Sequence, residues 1–313
     1  MRIYSDSETR SRLPYNELIP SLREAFQSQI TAPLRHHHKI FCKDEPDATL
    51  LLMPAWQQGA LGGVKMVNVH PGNAQRSIPA LSSTYMLFDS QTGEHLALID
   101  GEQITVRRTV AASALAADFL AREDASSLLI VGAGRVANEL AYAFRAIRPV
   151  SEVFVWDVNE DLAVRLVERL RSDGFISRLS GDLSSDLKAA DIISCATLAT
   201  EPVIKGEWLH PGQHVDLIGS FRPDMREADD NVMSRASVYI DTDGAFEETG
   251  DLIKPIQSGA LKKSDVKGSL FDLCQGTIKG RQNSNEITVF KGVGTALEDL
   301  AAASLVHRVR FNA

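Results

Sequence analysis

Two groups of residues in this chain have the types and spacing of reactive chemistry. The first is Gly132-x-Gly134-x-x-Ala137, which follows the apolar run "LLIV". It opens a stretch with Val136, Leu140, Phe144 and Ile147 on one helical face. In such a turn the first glycine allows the tight bend and the second lets backbone approach a pyrophosphate. The small third residue lets helix pack closely on strand. The helix N-terminus adds free N–H groups and the positive end of a dipole. Arg135 and Val136, within the turn, count among the expected cofactor contacts. Asp157 closes the next strand-like run, "VFVWD", 20 residues after Ala137, where an acid that accepts from a ribose 2′-OH is expected. No Arg or Lys follows it within "VNED". A carboxylate there repels a 2′-phosphate, so NAD(H) is favoured and NADP(H) is possible. The second group is Lys65, a lone cation between Val64 and Met66 in an apolar strand. An unpaired buried ammonium is costly, so this lysine demands a function or a partner.

These residues need elements to hold them. Residues 15–30 predict an amphipathic helix with Leu18, Leu22, Ala25, Phe26 and Ile30 on one face. "LRHHHKIFC", "ATLLLMPAW" and "LGGVKMVNV" predict strands, and "STYMLFDSQTGEHLALID" predicts two strands around a turn. The alanine-rich "TVRRTVAASALAADFLA" predicts a helix. From there strands and helices alternate: "LLIV", a helix over 135–148, "VFVWD", a helix over 159–172, then "ADIISCAT", "HVDLIG" and "SVYIDT". That alternation marks a doubly wound parallel sheet. The final "GTALEDLAAASLVHRVRF" predicts a helix that returns to the first domain. The expected fold is α/β: a Rossmann doubly wound sheet over 123–294, inserted in an α+β substrate and dimerisation domain formed by 1–122 and 295–313.

Composition excludes several classes. The net charge of −8 argues against a nucleic-acid or anionic-membrane binder, which would need a basic face. No apolar run reaches the ~18 residues of a membrane span, and the N-terminus shows no apolar signal core. Three cysteines without a CxxC pair fit a reducing cytoplasm. His36, His37 and His38 make a poor metal site, because alternate strand residues face opposite ways and no further ligand stands at suitable spacing. Cys195, in "ISCAT", reads as a buried strand thiol.

Several segments together resemble one family. "KMVNVHPGN", "YMLFDSQTGEHLALIDGEQITVRRTVAASALAADFLA", "LLIVGAGRVA", "GSFRPDMRE" and "VFKGVGTALEDLAAA" are similar, in that order, to the ornithine cyclodeaminase/mu-crystallin family. The resemblance implies a homodimer, an active site in the cleft of a two-domain chain, and hydride transfer between nicotinamide and the α-carbon of an amino or imino acid. It assigns Arg35 and Arg108 to a substrate carboxylate, which suits the bidentate guanidinium fork. It assigns Lys65 to the carboxylate, to a carbonyl or to proton exchange. Arg107 is left as structural. By position, Thr109 is expected to touch a phosphate. Thr197 and Ser220 stand past two strands at the carboxyl ends where ligands bind in such sheets. The proton donor is left between Lys65 and Asp224.

The departures bear on substrate. Cyclodeaminases of the family carry an acid just after the fifth Rossmann strand, where this chain has Ser220 and Phe221. Their ornithine-pairing carboxylate near "MP" is replaced by Leu50, Leu51 and Leu52. A diamine would bring an uncompensated charge. The expected activity is therefore reduction of a cyclic ketimine, such as Δ1-pyrroline-2-carboxylate, or of an imino or keto acid, to an L-amino acid. Ornithine cyclodeamination and a mu-crystallin-like, cofactor-bound ligand binder are the alternatives.

Overall fold

From Ala48 to Asp100 apolar segments are separated by stretches holding Gly59, Pro71, Gly72 and Gly93, and the computed structural model folds this span as an antiparallel meander. The structure describes residues 1–309. Its contacts divide into two compact units, Met1–Arg108 with the segment from Thr295 onward, and Thr109–Gly294. Residues 310–313 of the expected 295–313 segment lie outside the described residues.

The first unit contains β1 (Arg2–Tyr4), α1 (Asp6–Ser11), α2 (Tyr15–Gln27), β2 (Ile30–Thr31), β3 (His36–Ile40), β4 (Ala48–Gln57), β5 (Leu61–Val69), β6 (Leu81–Asp89), β7 (His95–Asp100) and the first part of α3 (Gly101–Leu120). The sheet order is β1-β7-β6-β5-β4-β2, with β3 also on β4. One row of cross-strand partners, Met53, Lys65, Tyr85 and Ile99, lies on the buried face. The alternate positions are mostly half-buried, and Trp56, Met66 and Ile3 among them are exposed. The alternation thus separates a core face from an open one. Leu18, Leu22, Ala25 and Phe26 are buried as the helical spacing predicts. Ile30 instead begins β2, because the chain turns extended at Ser28. The short β1 and α1 had no periodicity long enough to read.

The second unit takes the rest of α3, then β8 (Ser127–Val131), α4 (Ala137–Arg145), β9 (Glu152–Trp156), α5 (Glu160–Ser172), β10 (Ile176–Leu179), α6 (Leu183–Ala189), β11 (Ile192–Cys195), β12 (His214–Leu217), α7 (Asp230–Arg235), β13 (Ser237–Ile240), α8 (Ala245–Glu248), α9 (Gly250–Ser258), β14 (Gly268–Ser269), α10 (Leu270–Gln275) and β15 (Thr288–Lys291). Every strand pair is parallel, in the order β10-β9-β8-β11-β12-β15-β13-β14. The six strands from β10 to β15 give the doubly wound order, with its switch point between β8 and β11. β8 and β11 are buried throughout, as parallel strands covered on both faces require. α4 is shorter than the 135–148 expected. Pro149 disfavours a helical residue before it, which helps end the helix early. α11 (Ala296–His307) then belongs to the first unit, where it packs on α2, β4, β5 and β6.

The parallel core contains one ionisable anomaly. Asp216, on β12, is wholly buried and accepts a 2.5 Å hydrogen bond from the Ser194 hydroxyl. Burial pushes its carboxyl up to about 7, against the pull of Ser194 and Ser113. A raised carboxyl binds its proton more tightly folded than unfolded, so its ionisation costs stability as pH climbs from about 4 towards 7. We expect Asp216→Asn to gain stability relative to wild type between pH 5 and pH 8.5, by a few kcal/mol at about 1.4 kcal/mol per unit. Urea unfolding at the two pH values checks this, and a pH-independent gap between the proteins would contradict it.

Candidate active site

Lys65 sits in the middle of β5 with 1% of its surface exposed. Its Nζ donates to Asp299 Oδ1 at 2.8 Å. The same oxygen accepts from Arg108 Nε at 2.9 Å, and Arg108 Nη1 donates to Glu298 Oε2 at 2.8 Å. All four residues are buried. Two cations therefore meet two carboxylates in a buried cluster, the arrangement that makes buried charge tolerable. Asp299 and Glu298 stand in the first turn of α11, whose N-cap is Thr295. There the helix dipole favours negative charge.

The electrostatics follow from this geometry. Burial pulls Lys65 down to about 8; Asp299 opposes that, while Arg108 and Arg35 add to it. For Asp299, burial favours the neutral acid, but Lys65 and Arg108 outweigh it and hold the carboxyl below its usual range. For Arg108, burial opposes the charge, and Asp299 and Glu298 more than restore it. Two of the five Arg108 N–H groups are used here, which leaves three for a ligand. Arg35 is half-buried just before β3 and close enough for its charge to act on Lys65. Tyr85, the cross-strand partner of Lys65, is fully buried, and burial with the Asp299 charge pushes its phenol well above the usual range. Arg107 is structural as expected: its Nε donates to Leu13 O at 2.8 Å, and its guanidinium stacks 4.1 Å from the Tyr15 ring centre.

In the second unit, the glycine turn has the form that a dinucleotide needs. Gly132 has φ +106°, and a Cβ there would lie 2.6 Å from Ala196 O, so only glycine fits. Gly134 is exposed and faces open space, the cradle that a side chain would fill. Asp157 Oδ2 accepts from Ala133 N at 2.6 Å, and Oδ1 from Asn159 N at 2.7 Å. The acid is thus anchored to the turn and keeps acceptor capacity for hydroxyls. Arg135 is exposed in the turn, Val136 is the residue before α4, and Thr109 is half-buried on α3.

Three expected residues have other employment. Asp224 is exposed and ion-paired to Arg222, with contacts of 3.0 and 2.9 Å. Arg222 holds its carboxyl below the usual range, which makes Asp224 unfit as a proton donor near neutral pH. The Thr197 hydroxyl donates to Glu227 at 2.9 Å. The Ser220 hydroxyl is buried, donates to Met225 O at 2.9 Å and lies 2.6 Å from the Thr249 hydroxyl. Both hydroxyls thus brace loops through protein partners. The sequence reading missed Asp299, Glu298 and Glu227. For the first two a signal was present: a pair of acids inside the apolar pattern "ALEDLAAA". Among the described residues, no group of three or more His, Cys, Asp or Glu could hold a metal ion.

The fold, the glycine turn with its anchored acid and the buried Lys–Asp–Arg set define a dinucleotide-dependent two-domain protein. The chain belongs to the ornithine cyclodeaminase/mu-crystallin family, whose profile matches residues 2–310. It is 39% identical over 309 residues to a Δ1-pyrroline-2-carboxylate reductase of Paracoccus denitrificans, covering 97% of this chain and 96% of that one. Among solved structures, the Thermococcus litoralis Δ1-pyrroline-2-carboxylate reductase in complex with NADH and L-proline superposes with a TM-score of 0.92 at 30% identity, with 100% of both chains covered. An archaeal alanine dehydrogenase dimer with bound NAD superposes at 0.90 and 27% identity, covering 98% of this chain and 95% of that one.

The buried set generates a stability prediction. Lys65→Met leaves an excess carboxylate in the core and should cost about 3–5 kcal/mol. Lys65→Met with Asp299→Leu restores charge balance between Arg108 and Glu298, and should cost clearly less than the sum of the two single changes. Denaturant unfolding of the double-mutant cycle measures this. Strict additivity would contradict the coupling.

Proposed function

We propose that the protein uses NAD(P)H to reduce a small cyclic ketimine or imino acid to an L-amino acid, with Δ1-pyrroline-2-carboxylate and L-proline as the pair. The observation that carries this reading is the desolvated Lys65, lowered to about 8 and tied to buried Asp299 and Arg108. A proton donor works best with a pKa near the working pH. The absence of an acid at Ser220 and Phe221, and the exposed ion pair of Asp224, weigh against cyclodeamination of a diamine.

In this mechanism Arg35 and the free donors of Arg108 hold the substrate carboxylate, which fixes the orientation of the C=N bond. Lys65 gives a proton from Nζ to the imine nitrogen and regains it from solvent. Asp299 keeps Lys65 in place and keeps it protonated at neutral pH. NAD(P)H, when bound, supplies the hydride that becomes the new C–H bond at the α-carbon. The proton adds to the nitrogen lone pair to give the iminium, and the π pair of the C=N bond would pass to nitrogen as hydride adds to the α-carbon, so charge and atoms balance. The turn at Gly132 and Gly134 would hold the pyrophosphate, with Asp157 on the ribose.

NAD(H) is the favoured cofactor. Beyond Asp157, Glu160 and Asp161 open α5, and a 2′-phosphate would meet three acids with no cation between them. A homodimer is the favoured assembly, formed through the open face of the first sheet. There Trp56, Met66 and Ile3 are 37%, 43% and 67% exposed, an apolar patch of the kind that marks interfaces. Three free cysteines, two of them buried, suit a reducing cytoplasm.

The test is NADH absorbance after addition of Δ1-pyrroline-2-carboxylate. We expect oxidation of NADH, with NADH favoured over NADPH in kcat/KM, and a loss of about 100-fold or more in Lys65→Ala, the size typical of a lost general acid. Failure to oxidise either cofactor with this substrate, or full activity in the variant, would refute the reading.

A further inference from the structure

The loops at the carboxyl ends of β11 and β12 are bound together by a single buried side chain. Glu227 is 0% exposed. Its Oε1 accepts from the Thr197 backbone N–H at 2.7 Å and from the Thr197 hydroxyl at 2.9 Å. Its Oε2 accepts from the backbone N–H of Gly219 at 2.7 Å and of Ser220 at 3.4 Å. One carboxylate thus serves both loops. The contact is close enough to exclude any side chain at Gly219, where a Cβ would lie 2.0 Å from Thr197 O and 2.5 Å from Glu227 Oε1.

Glu227 is itself held from behind. Its own N–H and that of Ala228 donate to Asp251 Oδ1 at 2.8 and 3.1 Å. Asp251 Oδ2 lies 3.3 Å from Lys291 Nζ at the end of β15, and both residues are fully buried. A chain of charge therefore runs from β15 through Asp251 and Glu227 to the ends of β12 and β11. An arrangement this costly to desolvate makes physical sense where loop positions must be fixed.

The strand order says what those loops face. Ligands in doubly wound sheets bind at the carboxyl ends around the switch point, which here lies between β8 and β11. Asp157, at the end of β9, marks the adenosine side. The other half of a dinucleotide then lies over β11 and β12. The Ala196 carbonyl, beside Thr197, already abuts the Gly132 turn.

We propose that Glu227 is a positioning residue that fixes the β11 and β12 loops against the nicotinamide half of the cofactor. It acts through Thr197, Gly219 and Ser220 and touches no reacting atom. The proposal rests on the cofactor reading given above.

The test compares NADH with ADP, which carries the adenosine half and the pyrophosphate but no nicotinamide. Glu227→Gln keeps the size but replaces one acceptor oxygen by an NH2 group that confronts backbone N–H donors. It should weaken NADH binding, measured by fluorescence titration, at least tenfold, and leave ADP binding by calorimetry within twofold. Thr197→Val removes only the hydroxyl contact and should weaken NADH about threefold, again without effect on ADP. Unchanged NADH binding in the folded variants, or equal loss of NADH and ADP, would overturn the proposal. If Glu227→Gln does not fold, Thr197→Val decides by the same criterion. A wild-type chain that binds neither NADH nor NADPH would refute the cofactor reading as well, whereas tight wild-type binding with indifferent variants would refute this proposal alone.

Discussion

An ammonium group cannot sit unpaired in a hydrophobic core. Lys65 is in such a core, on a central strand of the first sheet, and the organisation of that unit follows from the need to pair it. The partner is Asp299, 234 residues further along the chain. α11 therefore has to return to the unit that the N-terminal strands began, and everything between Thr109 and Gly294 becomes an insertion. Arg108, at the end of the first unit's share of α3, binds the same carboxylate oxygen. Three segments distant in sequence are fixed by one buried set of charges. That set leaves a lysine whose protonation is balanced between burial, which strips the proton, and Asp299, which retains it. A group so balanced is suited to donate a proton near neutral pH.

The second unit solves a different problem. A dinucleotide offers a large anionic ligand, and the parallel sheet offers N–H groups and loop ends in one place. Gly132 must be glycine because the Ala196 carbonyl approaches the turn from the neighbouring strand's loop. Asp157 is anchored to the same turn through Ala133. Glu227 performs the corresponding service on the other side of the switch point. On each side of the switch point a carboxylate organises backbone N–H groups: Asp157 those of Ala133 and Asn159, Glu227 those of Thr197, Gly219 and Ser220.

Much of this was legible in sequence because it depends on local rules. The short apolar run "ATLLLMPAW" and the segment "LGGVKMVNV" after its glycine turn marked the strands, and the position of Lys65 within one of them marked the anomaly. The glycine spacing marked the tight turn between β8 and α4, where Gly132 has φ +106° and Asp157 accepts from Ala133. What escaped was set by tertiary partners. The roles of Glu298 and Asp299 depend on which sheet α11 packs against, and periodicity reports only that α11 is a helix. Thr197 and Ser220 stand at the strand ends where ligands bind, yet Glu227, Met225 and Thr249 take up their hydroxyls, and no spacing rule announces that. Asp224, one of the two candidate proton donors, pairs with its neighbour Arg222, a contact that loop geometry decides.

If Lys65 donates the proton, the Asp299 carboxylate beside it sets the pH at which it does so. The most direct measurement is the pH dependence of single-turnover NADH oxidation on Δ1-pyrroline-2-carboxylate, in wild type and in Asp299→Asn. With Lys65 as donor, the wild-type rate falls as pH rises through about 8, to which burial lowers the ammonium. Removing the carboxylate that raises this pKa must move the descending limb to lower pH. A limb at the same pH in both proteins, or no limb at all, would contradict the account.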